Sequence, residues 1–158
     1  ILAGVLSARQ GNIQMHIDNE LINKESFPMH IGLVAPYLEL YEEFTPLEHM
    51  GIFCAMSGIQ ADEQDALETL HLTGLSAYEH KRIGTFSSGM KQRMKYALAM
   101  IRKPIILLLD EPSTNFDHKG HELFRRIVQM QKELGGGTII ATNEQAETEL
   151  CEHIISLS

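Results

Sequence analysis

Two short stretches of this chain carry residue types that can do chemistry. The first is Ser87-Ser88-Gly89, followed by Met90-Lys91-Gln92-Arg93 at the head of a segment with helical spacing. Ser87 offers a hydroxyl and Gly89 a backbone N–H unshielded by a side chain. A helix beginning there turns the positive end of its dipole outward, so the loop can form an anion seat. Ser-Ser-Gly is also a plain helix N-cap, and the two roles are compatible. The second stretch is Asp110-Glu111, which closes the apolar run Ile105-Ile106-Leu107-Leu108-Leu109. Adjacent residues leaving a strand point in different directions, so the two carboxylates can take two tasks, one of them the orienting or deprotonation of a water. A buried strand followed by an ordinary acidic turn has the same composition.

The elements that must position these residues alternate between strand and helix. Ile13, Met15 and Ile17 alternate with polar neighbours, the pattern of a half-buried strand. Residues 31–34 read as a second short strand stopped by Pro36. From Thr45 to Tyr78 the spacing is helical in two or three pieces, punctuated by Gly58 and Gly74. Met90, Met94, Ala97, Leu98 and Ile101 make one buried face of a helix from about Gly89 to Ile101, which Pro104 ends. Ile105 to Leu109 has the composition of a central parallel strand covered on both faces. Asp117 or His118 opens a further helix that runs to Gly135-Gly136-Gly137, where glycine permits a left-handed cap. Thr138 to Ala141 and Ile154 to Leu157 read as two more buried strands. This order predicts an α/β fold, a mostly parallel sheet with crossover helices and an inserted helical subdomain at approximately 45–102. Ligands bind such sheets beyond the carboxyl ends of the strands, where Asp110-Glu111 lie.

Composition bounds the alternatives. A chain of 158 residues supports one domain. Its formal charge of −8 argues against a nucleic-acid partner, because phosphate binding draws affinity from clustered Lys and Arg, and only local patches occur, at Lys81-Arg82 and Lys91 to Arg93. No signal-peptide pattern and no run of about 18 apolar residues is present. Cys54 and Cys151 lie far apart without metal spacing, which reads as reduced thiols, and the eight histidines show no zinc-site pattern.

Taken together, Phe86-Ser87-Ser88-Gly89-Met90-Lys91-Gln92-Arg93 and the later Ile105 to Pro112 resemble the signature loop and Walker B strand of an ATP-binding-cassette (ABC) ATPase. Ser113-Thr114-Asn115-Phe116-Asp117 resembles its D-loop, and Thr138 to Asn143 its switch-histidine strand. The resemblance implies the nucleotide-binding subunit of an ABC transporter, a P-loop NTPase-like enzyme that uses ATP and Mg²⁺. Asp110 would accept a hydrogen bond from a water on Mg²⁺, and Glu111 would orient or deprotonate the attacking water. Ser87, Ser88 and Gly89, with Asp117, would close over the γ-phosphate of ATP held by a second cassette, in a head-to-tail homo- or heterodimer. The partners implied are that cassette and a transmembrane permease subunit. The location implied is cytoplasmic, peripheral on the inner face of the cell membrane.

The chain departs from the family pattern in places. It contains no Gly-x-x-x-x-Gly-Lys-Ser/Thr phosphate loop. Ile1 to Leu6 resembles the end of the helix that follows that loop, so the chain reads as a fragment that starts just downstream of it, and its activity alone is doubtful. Ser88 and Met90 replace the usual glycine and glutamine of the signature. Pro36 stands where a Mg²⁺-ligating glutamine is expected and supplies no ligand. Asn143 stands in the place of the switch histidine; its amide can hydrogen-bond a phosphate but cannot change charge as imidazole does. It also reads as a polar strand-end residue without a role, and Asp117 as a simple helix N-cap. Two alternatives stay open. One is a degenerate cassette acting as an ATP-dependent dimerisation switch, which Pro36 and Asn143 favour and Asp110-Glu111 opposes. The other is a soluble non-transport ABC protein.

Overall fold

The computed structural model describes residues 11–156. The helix-end reading of Ile1 to Leu6 falls outside them, as does Leu157 of the expected last strand.

The alternation at Ile13 to Ile17 belongs to a short antiparallel hairpin, β1 (His16–Ile17) against β2 (Glu20–Leu21). Its turn residues Asp18 and Asn19 both have positive φ, 50° and 66°. A two-residue type I′ turn needs that pair of left-handed conformations, and short polar side chains tolerate them. The alternation marks the inward face correctly, since Met15 is buried and Ile13 and Ile17 pack beside it. The short helix α1 (Phe27–His30) then delivers the chain to β3 (Ile31–Val34). Glycine is required at position 32: a Cβ there would lie 2.9 Å from both the Ala99 carbonyl oxygen and the Pro104 ring.

Three helices follow, each opened by an identifiable cap. Helix α2 (Pro46–Ser57) starts from a reciprocal capping box between Thr45 and Glu48, with Pro46 in its first turn, and ends on Gly58 at φ 65°. Helix α3 (Glu63–Leu72) repeats the device with Asp62 and Asp65. Single 3₁₀ turns at Ser76–Tyr78 and Ile83–Thr85 lead to α4 (Ser88–Met100), whose N-cap is Ser87. Met50, Leu70, Leu75, Ile83 and Met94 are fully buried where these helices meet, with Ala97 and Ile101 in the same cluster. The apolar face anticipated for α4 is therefore inside. A second face, carrying Tyr96, Ala99 and Met100, is buried in another cluster against the sheet, so α4 joins the helical layer to the strands.

Strand β4 (Ile106–Asp110) is the centre of a parallel sheet in the order β3, β4, β5 (Gly137–Ala141). Ile31 pairs with Ile106 and Val34 with Leu109 on one side, and Ile106 with Gly137 and Asp110 with Ala141 on the other. Leu107 and Leu109 face the cluster with Val34, Tyr96 and Phe124, while Leu108 faces Met15, Phe27 and Ile31. An unbroken apolar run is thus explained by two covered faces. Helix α5 (His118–Glu133) lies between β4 and β5, buries Leu123, Phe124 and Ile127, and ends at Gly135 with φ 77°. After β5 comes the single turn α6 (Gln145–Thr148).

Two strand expectations require correction. Strand β5 exists, but it is not buried: its residues are exposed or half-exposed, and Ile139 keeps 46% of its surface. Among the described residues nothing pairs with its outer edge. Residues 153–156 form no strand, and Ile154 and Ile155 are 65% and 84% exposed. Apolar composition alone does not make a strand, because its N–H and C=O groups need a neighbouring strand to bond.

Candidate functional site at the carboxyl ends of the strands

The sequence-predicted residues gather where β4 and β5 end. Glu111 follows β4 directly and has φ 45°, a left-handed conformation that is uncommon for a residue with a Cβ. Its N–H donates to the Ala141 carbonyl at 2.8 Å, extending the pairing with β5 by one bond. This backbone turn leaves the carboxylate beside Asn143, whose Nδ2 donates to Glu111 Oε1 at 3.0 Å. The side chain of Asn143 is thus engaged with Glu111. Asp110, the last residue of β4, is half-buried, and its carboxylate makes no side-chain hydrogen bond or ion pair among the described residues. An unengaged carboxylate at a strand end suits a hard cation such as Mg²⁺, which takes one or two carboxylates and keeps waters of its own. No group of three or more His, Cys, Asp or Glu side chains close enough to hold a metal occurs among the described residues.

The chain then makes a tight turn. Thr114 N–H donates to the Glu111 carbonyl at 3.2 Å, Phe116 N–H to that of Ser113 at 3.0 Å, and Asn115 has φ 66°. Asp117 closes the turn as the N-cap of α5, accepting from Gly120 N–H at 2.8 Å. That bond, followed by the positive charge of Arg93, holds the Asp117 carboxyl below the usual aspartate range. Gly120 is needed because a Cβ would sit 2.4 Å from Cγ of Phe116, whose ring stacks on Tyr96 at 5.8 Å.

Ser87, Ser88 and Gly89 form the N-terminal turn of α4. Ser87 Oγ accepts from Met90 N–H at 3.2 Å, so its oxygen caps the helix and its O–H remains able to donate. Ser87 and Ser88 are exposed. Gly89 lies against the turn after Glu111, where a Cβ would approach the Asn115 carbonyl to 3.3 Å. No hydrogen bond among the described residues links Ser87 or Ser88 to Asp110 or Glu111. A cleft of about 470 Å³ opens here, lined by Ser88, Lys91, Lys95 and Asn115 with Glu42.

Several groups at the site had no signal in the sequence. Lys95 Nζ donates to the carbonyls of Pro36 (2.8 Å) and Ala35 (3.2 Å), and partial burial holds its pKa below that of an ordinary lysine. Position 36 thus contributes a carbonyl to a lysine rather than a side chain to the site. Gln92 Nε2 and Tyr96 Oη both donate to the Pro112 carbonyl, at 3.0 and 3.2 Å. Glu147, in the acidic stretch 144–149, is only 3% exposed and accepts from both the N–H and the hydroxyl of Ser113. The helical spacing of Gln92 and Tyr96, one turn apart, was the only available hint.

Comparison with known proteins identifies the family and the fold. The model of the family described as ABC transporter matches residues 1–114. The chain is 32% identical to the ABC transporter ATP-binding protein YybJ of Bacillus subtilis over 160 residues, covering 99% of this chain and 72% of that protein. It is 31% identical to the lipoprotein-releasing system ATP-binding protein LolD of Bacteroides fragilis, covering 81% of this chain and 61% of LolD. The chain thus spans less than two thirds of LolD. The dimeric ATP-binding cassette MJ0796, bound to ADP and phosphate, shares the fold, with a TM-score of 0.77 at 21% identity over 95% of this chain and 70% of that one. The chain belongs to the ABC transporter ATP-binding family.

Proposed function

We propose that the protein carrying this chain hydrolyses ATP to ADP and phosphate as the nucleotide-binding subunit of an ABC transporter. The observation that carries the reading is the placement of Glu111: left-handed at the end of the central strand, tied to Ala141 through its N–H and to Asn143 through its carboxylate. Glu111 orients the attacking water and accepts its proton, and the amide of Asn143 keeps the carboxylate in place. Asp110 would hold Mg²⁺ through a water. Bound Mg²⁺ would neutralise charge that develops on the phosphate oxygens. Ser87, Ser88, Gly89 and Asp117 face a second cassette, on which hydrolysis depends, and a permease subunit anchors the pair at the inner face of the membrane. No helix of the described residues is long and apolar enough to cross a membrane.

A second reading, a cassette that binds ATP and dimerises as a switch without useful turnover, is favoured by Asn143, which cannot gain charge, and by Pro36, whose carbonyl is taken by Lys95. Steady-state phosphate release by the full-length protein separates the two. Saturable, dimer-dependent turnover is the expected result; ATP-driven dimerisation without phosphate release would favour the switch. Gly89→Asp sharpens the test, because a carboxylate in an anion seat should abolish turnover while leaving ATP binding by the monomer intact.

A further inference from the structure

We infer that Glu147, together with Gln92 and Tyr96, is a positioning residue that clamps the Pro112–Ser113 peptide and thereby holds Glu111 in its working conformation. The inference rests on the proposed role of Glu111.

A residue with a Cβ stays at a left-handed φ only where its surroundings over-determine it. On the N-terminal side of Glu111 that task falls to β4 and the bond to Ala141. On the C-terminal side Pro112 has no N–H to contribute, and the next two polar groups of the backbone are both taken from elsewhere in the fold. The Pro112 carbonyl receives two donors from α4, Gln92 Nε2 and Tyr96 Oη. The Ser113 N–H and hydroxyl both donate to Glu147 Oε1 from α6. The peptide after Glu111 is therefore gripped from opposite sides, by the helix that begins at the Ser87 seat and by the turn that follows Asn143.

Glu147 is an odd choice for a merely structural prop. It is buried, and its second oxygen, Oε2, has no hydrogen-bond partner among the described residues. A buried, half-satisfied carboxylate is unfavourable for stability. Both Ser113 donors nevertheless converge on one of its oxygens, one residue beyond the buried Pro112 and two beyond Glu111. Burial first, and Glu147 second, push the Tyr96 phenol far above its ordinary pKa.

The test uses the full-length protein with Glu147→Ala and Glu147→Gln, each also combined with Glu111→Gln. Misplacing a reacting group by a fraction of an ångström to 1 Å costs roughly 10- to 100-fold in rate, so Glu147→Ala should lower kcat by that factor with KM for ATP unchanged. Glu147→Gln keeps an oxygen for both Ser113 donors and should restore most of the loss. In the Glu111→Gln background Glu147→Ala should have no further effect, because it acts only through Glu111. Full activity of Glu147→Ala, or the same loss in both backgrounds, overturns the inference. Should Glu147→Ala fail to fold, Ser113→Ala removes one arm of the grip and must show the same dependence on Glu111. Amide exchange distinguishes failure of the proposed activity from failure of the clamp. If the parent has no turnover, faster exchange at residues 113–117 of Glu147→Ala, reversed in Glu147→Gln and absent from α2 and α3, still sustains the clamp; unchanged exchange there overturns it.

Discussion

The helices between Thr45 and Met100 and the turn between Asp110 and Asp117 are built on opposite principles. In the helical region each of the three α-helices starts at a side-chain cap, and positive φ falls only on Gly58 and Gly74. Local preference and global structure agree there. The turn has two non-glycine residues at positive φ, Glu111 and Asn115. A left-handed residue with a full side chain costs about 1–2 kcal/mol, and nothing local offsets that at Glu111. Its conformation is held by β5, α4 and α6, elements distant in sequence. The difference teaches where to look for chemistry: a fold spends stability where a side chain must point somewhere specific.

The sharpest break of this comparison is Glu111→Gln in the full-length protein. Turnover should fall by roughly 10²–10⁴, as losses of a general base do, while the thermal midpoint stays close to the parent's; phosphate release and a melting curve check both. Asn143→His is the companion measurement. It should leave phosphate release unchanged or raise it, because an imidazole N–H can take over the amide's hydrogen bond to Glu111; a markedly slower variant would show that the ring cannot replace the amide there.

Next in size is Gly120→Ala, which drives a methyl group into Phe116 at the foot of the turn. Overpacking of this kind costs about 1–3 kcal/mol, read as a lower urea midpoint at constant m-value. Gly58→Ala tests the other region: the site is open, so the only penalty is the left-handed φ of 65°, about 1 kcal/mol. A larger loss at Gly58 than at Gly120 would invert the contrast between the two regions.

Similar in size to Gly58→Ala is Thr45→Ala, which removes half of a capping box and should cost about 1 kcal/mol without altering turnover per folded molecule. The same box has a pH signature. The Thr45 N–H, and then its hydroxyl, hold the Glu48 carboxyl below its ordinary value of 4.5. A carboxyl lowered in the folded state contributes stability above its unfolded pKa and loses it as pH falls through the folded one. Melting curves from about pH 6 to about pH 3 should therefore show the parent losing more stability than Glu48→Gln on the acid side. Parallel curves would remove Glu48 from the account.

The helical region was legible for the same reason that it is orthodox. Caps, glycines and spacing located α4 and α5 within a residue or two, because those signals act over a single turn of chain. Helix α4 hid its second buried face, however, since Gln92 and Tyr96 reveal their inward direction only when the Pro112 carbonyl is in place. Of the site, the residue types and their order were readable, and the pairing of Glu111 with Asn143 was not, because no spacing rule joins residues from two different strands.

The sequence by itself determined the family, the central position of β4 and the two carboxylates at its end, since an unbroken apolar run closed by Asp-Glu has few other uses beside Ser-Ser-Gly-Met-Lys-Gln-Arg. Tertiary structure alone decided which apolar segments became paired strands. Thr138 to Ala141 and Ile154 to Leu157 look alike in composition, yet the first pairs with β4 and residues 154–156 of the second pair with nothing described. Tertiary structure also singled out Glu147 from its acidic neighbours. Strand pairing and the burial of a carboxylate both depend on partners brought from far along the chain, and a linear pattern holds no record of which partner will arrive.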